Sequence, residues 1–183
     1  MKRVDMTNVQ EAGEFERLPA GAYVCRITAV EDFPNKEYLK ISYDIAVGKY
    51  AGYYEKTRKD HPDWVWAGAY VKSYKTKALP MFKRFCSAVS KSNGNFVFDG
   101  NTVNADERTL IGKKIGLVFQ DEEYYSNSGD KRMRLIVARE FPIDKLNDQK
   151  IPAPKLLPDE PETSGADAFM SIPEGIDEEM PFA

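Results

Sequence analysis

Cations and aromatic rings are concentrated in one segment of the chain, residues 49–84. Nine lysines and arginines stand there against three acids, and seven tyrosines and tryptophans are interleaved with them. Unpaired nucleic acid requires both chemistries, because cations follow the phosphates while flat rings stack on the bases, at about 1 to 3 kcal/mol per base. An ordinary solvated face is the alternative interpretation of the charges. The segment predicts a surface that binds single strands.

A second group with the same composition flanks a predicted turn at residues 126–130. Two tyrosines precede this turn, and lysine and arginine side chains follow it. Stacking accepts any base, so we expect binding that is independent of sequence. The candidate DNA-binding residues of the two groups are Tyr53, Tyr54, Lys56, Arg58, Lys59, Trp64, Trp66, Tyr70, Lys72, Tyr74, Lys75, Lys77, Tyr124, Tyr125, Lys131, Arg132 and Arg134. Trp64, Trp66 and Tyr70 share strand parity, so these three rings fit the core face of a strand equally well.

The sequence contains none of the common catalytic motifs. It has no Walker loop, GxGxxG, HExxH or GxSxG pattern, and its one histidine, His61, leaves little scope for acid–base chemistry. Asp121, Glu122 and Glu123 are consecutive, so a strand would alternate them between its faces instead of converging them on Mg²⁺. The two cysteines form no CxxC pair and are predicted to be small buried hydrophobes. We therefore expect a protein that is not an enzyme and that needs no metal or cofactor.

Charge is distributed unevenly on the two sides of Lys150. Residues 151–183 carry one base against eight acids, a net charge of −7, whereas the remaining 25 bases and 21 acids give +4. Proline recurs in "IPAPKLLPDEPETSG", and such a composition has little apolar surface to bury. We expect one folded domain over residues 1–150 and a disordered, acidic, proline-rich tail over residues 151–183.

Alternating hydrophobicity predicts five strands in the body of the chain. The residues that should share the core face are Tyr23, Cys25, Ile27 and Ala29 in the first strand, and Leu39, Ile41, Tyr43, Ile45 and Val47 in the second. The third strand is predicted within "DWVWAGAYVKSY". The last two form a hairpin within "KKIGLVFQDEEYYSNSGDKRMRLIVAREF", with its turn at residues 126–130.

One segment departs from the β pattern and predicts a helix between strands three and four. The residues with helical spacing are Ala78, Met81, Phe82, Phe85, Cys86 and Val89, and Thr76 is the predicted N-cap. Three strands, a helix and a hairpin form the order of an OB-fold, a mainly β, five-stranded, partly open barrel. SH3-like barrels and other β-rich domains give similar orders. In an OB-fold the segment 49–84 borders the binding groove and the hairpin forms its other wall.

No stretch of the chain has the character of a membrane segment. There is no run of 18 apolar residues, and the first residues, "MKRVDMTNVQEAGEFERL", lack the apolar stretch of a secretory signal. We expect a soluble, cytoplasmic protein that makes no membrane contact. The oligomeric state is left open by the sequence.

Four segments carry a resemblance to a known family. They are "LPAGAYVCRITAVED", "YLKISYDIAVGKYAGYY", "KTKALPMFKRFCSAV" and "LIGKKIGLVF…NSGDKRMRLIVAREF", which together cover about residues 15–145. Their hydrophobic and glycine pattern resembles a phage family of single-stranded DNA-binding proteins, long catalogued as a domain of unknown function. The resemblance implies an OB-fold that coats single strands during DNA replication, recombination and repair. The alternative is an OB-like adaptor of phage recombination machinery that binds proteins and not DNA.

The final residues, "DEEMPFA", are similar to the acidic tip ending in Asp-Ile-Pro-Phe of bacterial single-stranded DNA-binding proteins. That resemblance implies docking on replication and recombination proteins, in which acids attract a basic pocket and apolar side chains fill it. The predicted tip residues are Asp177, Glu178, Glu179, Met180, Pro181 and Phe182. Ala183 follows the phenylalanine, so the terminal carboxylate differs from that of the bacterial tip. A tethered acidic chain can also compete with DNA for a basic groove, and a simple solubility tail is the remaining alternative.

Overall fold

The computed structural model describes residues 16–64, 66–99 and 106–158, together with residues 3, 5 and 7. These residues form a mainly β structure with five strands and two α-helices. The strands are β1 (Gly21–Phe33), β2 (Tyr38–Ile45), β3 (Ala69–Ser73), β4 (Lys114–Tyr125) and β5 (Lys131–Phe141), and the helices are α1 (Tyr53–Asp60) and α2 (Leu79–Ser92). The predicted five strands and the predicted helix after the third strand are confirmed.

The strands build one antiparallel sheet in the order β3-β2-β1-β4-β5. β3 and β5 are therefore the two edge strands. No backbone pairing joins β3 to β5 within the described strands, so the sheet is open. The barrel expected from the element order is not formed by backbone hydrogen bonds.

β1 and β2 confirm the predicted core face over most of their length. Cys25 and Ile27 of β1 are fully buried, and so is Ile41 of β2. The register shifts by one residue between Ile27 and Ala29, and a bulge of this kind moves the following side chains to the other face. Ala29 is consequently exposed, contrary to prediction, and Val30 packs against the core instead.

The core lies between the sheet and α2. Phe85 and Val89 of α2 are fully buried in one cluster with Phe119 of β4 and Leu110. The predicted helical spacing is confirmed at these positions. Thr76 is not the N-cap, however, because a 3-10 turn over Thr76–Ala78 precedes α2 and Ala78 takes that place.

α1 is an element that strand alternation did not predict. Its first backbone N–H groups are bound by a side chain of β2: Asp44 Oδ1 accepts from the N–H of Tyr54 and Oδ2 from that of Glu55, each at 3.0 Å. A carboxylate at this position satisfies donors that an isolated helix leaves unpaired and complements the helix dipole. Asp44 is buried as a result, although it alternates with Tyr43 and Ile45, which were predicted to share the core face.

β3 is shorter than its predicted run. It begins at Ala69, so Trp64 and Trp66 lie in the loop before it, and their predicted strand parity with Tyr70 is wrong. The loop is tightly packed at Gly68, where a Cβ atom would lie 2.5 Å from the carbonyl oxygen of Tyr43. Glycine is needed here for this close approach of two backbone segments.

Two segments lie beyond the N-terminal end of β1, next to the part of β4 that β1 does not cover. Residues 120–125 of β4 pair with residues 131–136 of β5 where β1 no longer covers β4, and we call this two-stranded extension the arm. Residues 153–157, which we call the strap, run along the uncovered edge of β4. The Lys155 N–H donates to Asp121 O at 2.8 Å, and the Glu123 N–H donates to Lys155 O at 2.9 Å. The strap thus packs on the sheet although it follows the predicted domain boundary.

Within the described residues, neither α1 nor α2 has the length and apolar character that crossing a bilayer requires.

Candidate nucleic-acid interface

A cavity of about 280 Å³ opens between α1, the loop before β3 and strand β5. Arg58 of α1 lines it together with Trp64 and Trp66 of the loop, and Arg134 of β5 lines it from the arm. The cavity is therefore where the structure brings the two predicted groups of residues together.

Buried side chains form the deep part of this cavity. Leu18 and Tyr54 are 2% and 8% exposed, and burial raises the pKa of the Tyr54 phenol. The Tyr54 ring meets Tyr43 edge-on, with centroids 5.5 Å apart. Tyr54 was predicted to bind DNA through its ring, but most of that ring packs within the core.

The rings at the cavity surface are held in fixed orientations. Trp66 Nε1–H donates to Gly68 O at 2.9 Å, and the Tyr53 hydroxyl accepts from the Leu18 N–H at 3.1 Å. Trp64 stacks on His61 with centroids 4.0 Å apart, and 49% of the tryptophan remains exposed. Fixed rings lose little conformational entropy when a planar ligand binds against them.

Three guanidinium groups line the same cavity: Arg17, Arg58 and Arg134. Arg17 pairs with Asp121 at 2.6 Å, and Arg134 pairs with Glu122 at 2.5 Å. No carboxylate of the described residues lies within ion-pairing distance of Arg58. Because a guanidinium has five N–H donors, the two paired arginines keep donors for a further anion.

Glu122 connects the cavity to the strap. Its Oε2 accepts from Arg134 Nε at 2.8 Å, and its Oε1 accepts from Lys155 Nζ at 2.7 Å. These hydrogen bonds, the one from Lys155 above all, lower the pKa of the Glu122 carboxyl. The ionised carboxylate thus positions a cavity arginine and the strap at the same time.

The tip of the arm carries four more of the predicted residues. Tyr124 is opposite Arg132 in the strand register, and Tyr125 is opposite Lys131. Tyr125 is 45% exposed and both cations are exposed. The Arg134 guanidinium lies over the Tyr124 ring, 5.1 Å from its centroid, which links the tip of the arm to the cavity.

The other cations of α1 lie outside the cavity lining. Lys56 is exposed, and Lys59 is also exposed and pairs with Glu55 at 2.8 Å, one helical turn earlier. Such exposed pairs contribute little to stability and yield readily to another anion.

Tyr74, Lys75 and Lys77 lie at the opposite end of β3 from the cavity. β3 leads from the cavity loop to these residues, and five strand residues span about 17 Å. The Tyr74 hydroxyl donates to Asp32 at 2.8 Å, and burial followed by this hydrogen bond raises the pKa of Tyr74 to about 12. The structure does not bring these three residues to the cavity.

Two further predicted residues are used inside the fold. Lys72 is 8% exposed, and its Nζ lies 2.5 Å from Glu140 Oε1. Tyr70 contacts the core and meets Tyr43 edge-on, and its buried hydroxyl has no hydrogen-bond partner among the described residues. The predicted tip, residues 177–182, lies outside the described residues.

Arg17 and Leu18 belong to the cavity but were not predicted. They precede the first strand and come close to α1 only in the folded chain, so no local pattern indicates their role.

Comparison with family models and with curated protein sequences finds no match for this chain.

Proposed function

We propose that this protein binds single-stranded DNA without reading its sequence, as a phage replication and recombination protein that has no enzymatic activity. The observation that carries the proposal is the cavity, where Trp64 and Trp66 stand beside Arg58 and Arg134. Aromatic faces stack on unpaired bases, and guanidinium groups bind phosphates. This pairing favours single strands because the bases of a duplex are already stacked.

The arm extends the proposed surface. Tyr124 of β4 lies opposite Arg132 of β5, on the same face of the arm as Arg134, while Tyr125 and Lys131 lie on the other face at its tip. A strand that leaves the cavity past Arg134 would meet the same two chemistries along the arm, which supports a binding path of several nucleotides.

We further propose that the sheet is an OB-type, partly open barrel. β3 and β5 are opposite edges of the sheet, yet Lys72 of one and Glu140 of the other lie in contact. A sheet can bring its two edges to this distance only by curling round on itself, as the sheet of an OB-fold does.

The acidic tail is proposed to recruit proteins and to compete with DNA. Its net charge of −7 opposes the +4 of the rest of the chain, and its last residues are similar to a docking tip. Deleting residues 159–183 should tighten DNA binding at low salt, because it removes an internal competitor. Equal affinities with and without these residues would contradict the competition.

Fluorescence anisotropy of a labelled oligo-dT, titrated with protein at several salt concentrations, tests the proposed function. We expect strong binding that weakens with salt, with a log–log slope of about −0.7 per phosphate contact, and much weaker binding to a duplex of equal length. No binding at low salt would overturn the proposal and favour the protein adaptor. An affinity that does not change with salt concentration would also contradict the proposed function.

A matched pair of double variants tests the path along the arm. Arg132→Ala with Arg134→Ala, two cations on the same face of the arm, should reduce the salt slope by about 1.4, because two phosphate contacts are lost. Lys91→Ala with Lys145→Ala removes two exposed cations outside the proposed path and should leave the slope unchanged. Equal effects of the two double variants would show that only net charge matters.

A further inference from the structure

The size of the cavity limits what can enter it. Ligand pockets commonly enclose about 300 to 1,000 Å³, and this cavity is near the lower end at about 280 Å³. A run of several nucleotides does not fit such a volume, whereas one planar base does. We propose that the cavity is a mononucleotide subsite, which takes one unpaired base and its phosphate out of the bound strand. This inference rests on the proposed function and specifies the unit that the site recognises.

The position of the base follows from the apolar part of the cavity. Leu18 and Tyr54 are buried at its deep end, and the indoles of Trp64 and Trp66 line it closer to the surface. A base that enters is removed from water and meets rings whose orientation is already fixed by Gly68 O and His61. The cost of ordering the site is therefore small.

Three polar groups of the cavity wall make hydrogen bonds within the protein. Trp66 Nε1–H donates to Gly68, the Tyr53 hydroxyl accepts from Leu18, and Thr57 Oγ1–H donates to Tyr53 O at 2.8 Å. Reading a base requires donors and acceptors directed at its edge. Because Trp66 Nε1–H has its partner and the two hydroxyls can act either as donor or as acceptor, the subsite holds purines and pyrimidines alike, mainly by stacking.

The phosphate is assigned to Arg58. The positive charges of Arg17 and Arg134 are each balanced by a carboxylate, whereas Arg58 has no carboxylate partner among the described residues. A phosphate at the cavity therefore finds its strongest net attraction at Arg58, with donors of the other two arginines close by. The ligand class is a nucleoside monophosphate unit, for which base and phosphate are both required.

Tryptophan fluorescence can test this directly, because the chain has two tryptophans and both line the cavity. Titration of the full-length protein with dTMP should quench the emission with saturation, and dAMP should bind within about threefold of dTMP. Thymidine and deoxyribose 5-phosphate, which each lack one part, should bind about tenfold or more weakly than dTMP.

A matched pair of variants separates the subsite from general charge. Arg58→Ala should weaken the binding of dTMP about tenfold, since a hydrogen-bonded charge pair is lost. Lys91→Ala on α2 should leave the affinity for dTMP unchanged. Arg58 is exposed, so the urea midpoint of its variant should equal that of the wild type. Quenching by dTMP that rises linearly without saturation, or an equal loss in both variants, would overturn the subsite.

The subsite and the proposed function can fail separately. If oligo-dT binds but dTMP does not, and Trp66→Ala leaves the oligo-dT affinity unchanged, the function stands and the subsite is wrong. The other outcome is that quenching by dTMP saturates but oligo-dT does not bind at any salt concentration. The proposed function then fails, and so does the assignment of the cavity to one nucleotide of a bound strand. Binding of both ligands, weakened alike by Arg58→Ala, supports both.

Discussion

Lys72 Nζ lies 2.5 Å from Glu140 Oε1, and this contact joins the two edge strands of the sheet. Arg84 of α2 approaches the other oxygen of the same carboxylate at 3.5 Å. Both partners of the closer pair are buried, so each depends on the other to offset the loss of hydration. An ion pair takes the place that backbone pairing would have in a closed sheet.

Lys72→Met should lower the free energy of unfolding by about 3 kcal/mol, because it leaves the buried Glu140 carboxylate with Arg84 alone. Urea unfolding measures the loss. The double variant Lys72→Met with Glu140→Leu should recover much of the stability, because no buried charge is left unpaired. A single variant as stable as the wild type would show that the pair does not hold the edges together. Oligo-dT affinity of the folded variant should be unchanged, since Lys72 is not available to phosphates.

Asp44→Ala should destabilise the protein by about 1 to 2 kcal/mol, because the backbone N–H groups of Tyr54 and Glu55 lose their acceptor. Hydrogen exchange of these two amides should accelerate more than that of the β1 amides. Weaker oligo-dT binding is expected as well, because α1 carries Arg58. Asp44→Asn, which keeps one acceptor oxygen, serves as the control and should be less affected. Equal exchange rates in the wild type and Asp44→Ala would contradict the role of Asp44 in anchoring α1.

The ion pairs of Glu122 should make part of the stability depend on pH. The pKa of Glu122 is lower in the folded protein than its ordinary value of 4.5, owing first to Lys155 and then to Arg134. The folded state therefore binds this proton less tightly than the unfolded state, so the contribution is present above pH 4.5 and is lost as the pH falls through the folded pKa. The difference in unfolding free energy between wild type and Glu122→Gln, measured from pH 7 downward, should shrink on acidification. A difference that stays constant with pH would contradict the assignment.

Two truncations should differ in stability. Removal of residues 159–183 leaves the strap in place, and we expect an unchanged urea midpoint. Removal of residues 151–183 takes away the backbone bonds of Lys155 and its contact with Glu122, so the midpoint should fall. Equal midpoints for the two truncated proteins would show that the strap contributes nothing to stability.

The elements that follow from local patterns could be predicted from this sequence, and those that depend on contacts between distant residues could not. β1 and β2 followed from alternation because one face of each is buried, and the hairpin turn at 126–130 followed from its turn residues. α1 was missed because the side chain that binds its first N–H groups, Asp44, lies on β2 and not in the helix.

The cavity was predictable only in part for the same reason. Trp64, Trp66, Arg58 and Arg134 were found from composition, because residue type alone indicates their chemistry. The use of Lys72 inside the fold was not visible, because its partner Glu140 is 68 positions away in the sequence. Composition predicts which chemistry a region holds, and the fold decides which of its members reach the site.

The strap also bears on how copies of this protein meet one another. Beyond Gly21, the first residue of β1, the edge of β4 would present unpaired N–H and C=O groups, and exposed edges of this kind are templates on which a second chain can add a strand. Lys155 occupies that position with its own backbone and places a charge there. Loss of the strap would therefore expose a surface for intermolecular strand pairing, and aggregation at high protein concentration would follow.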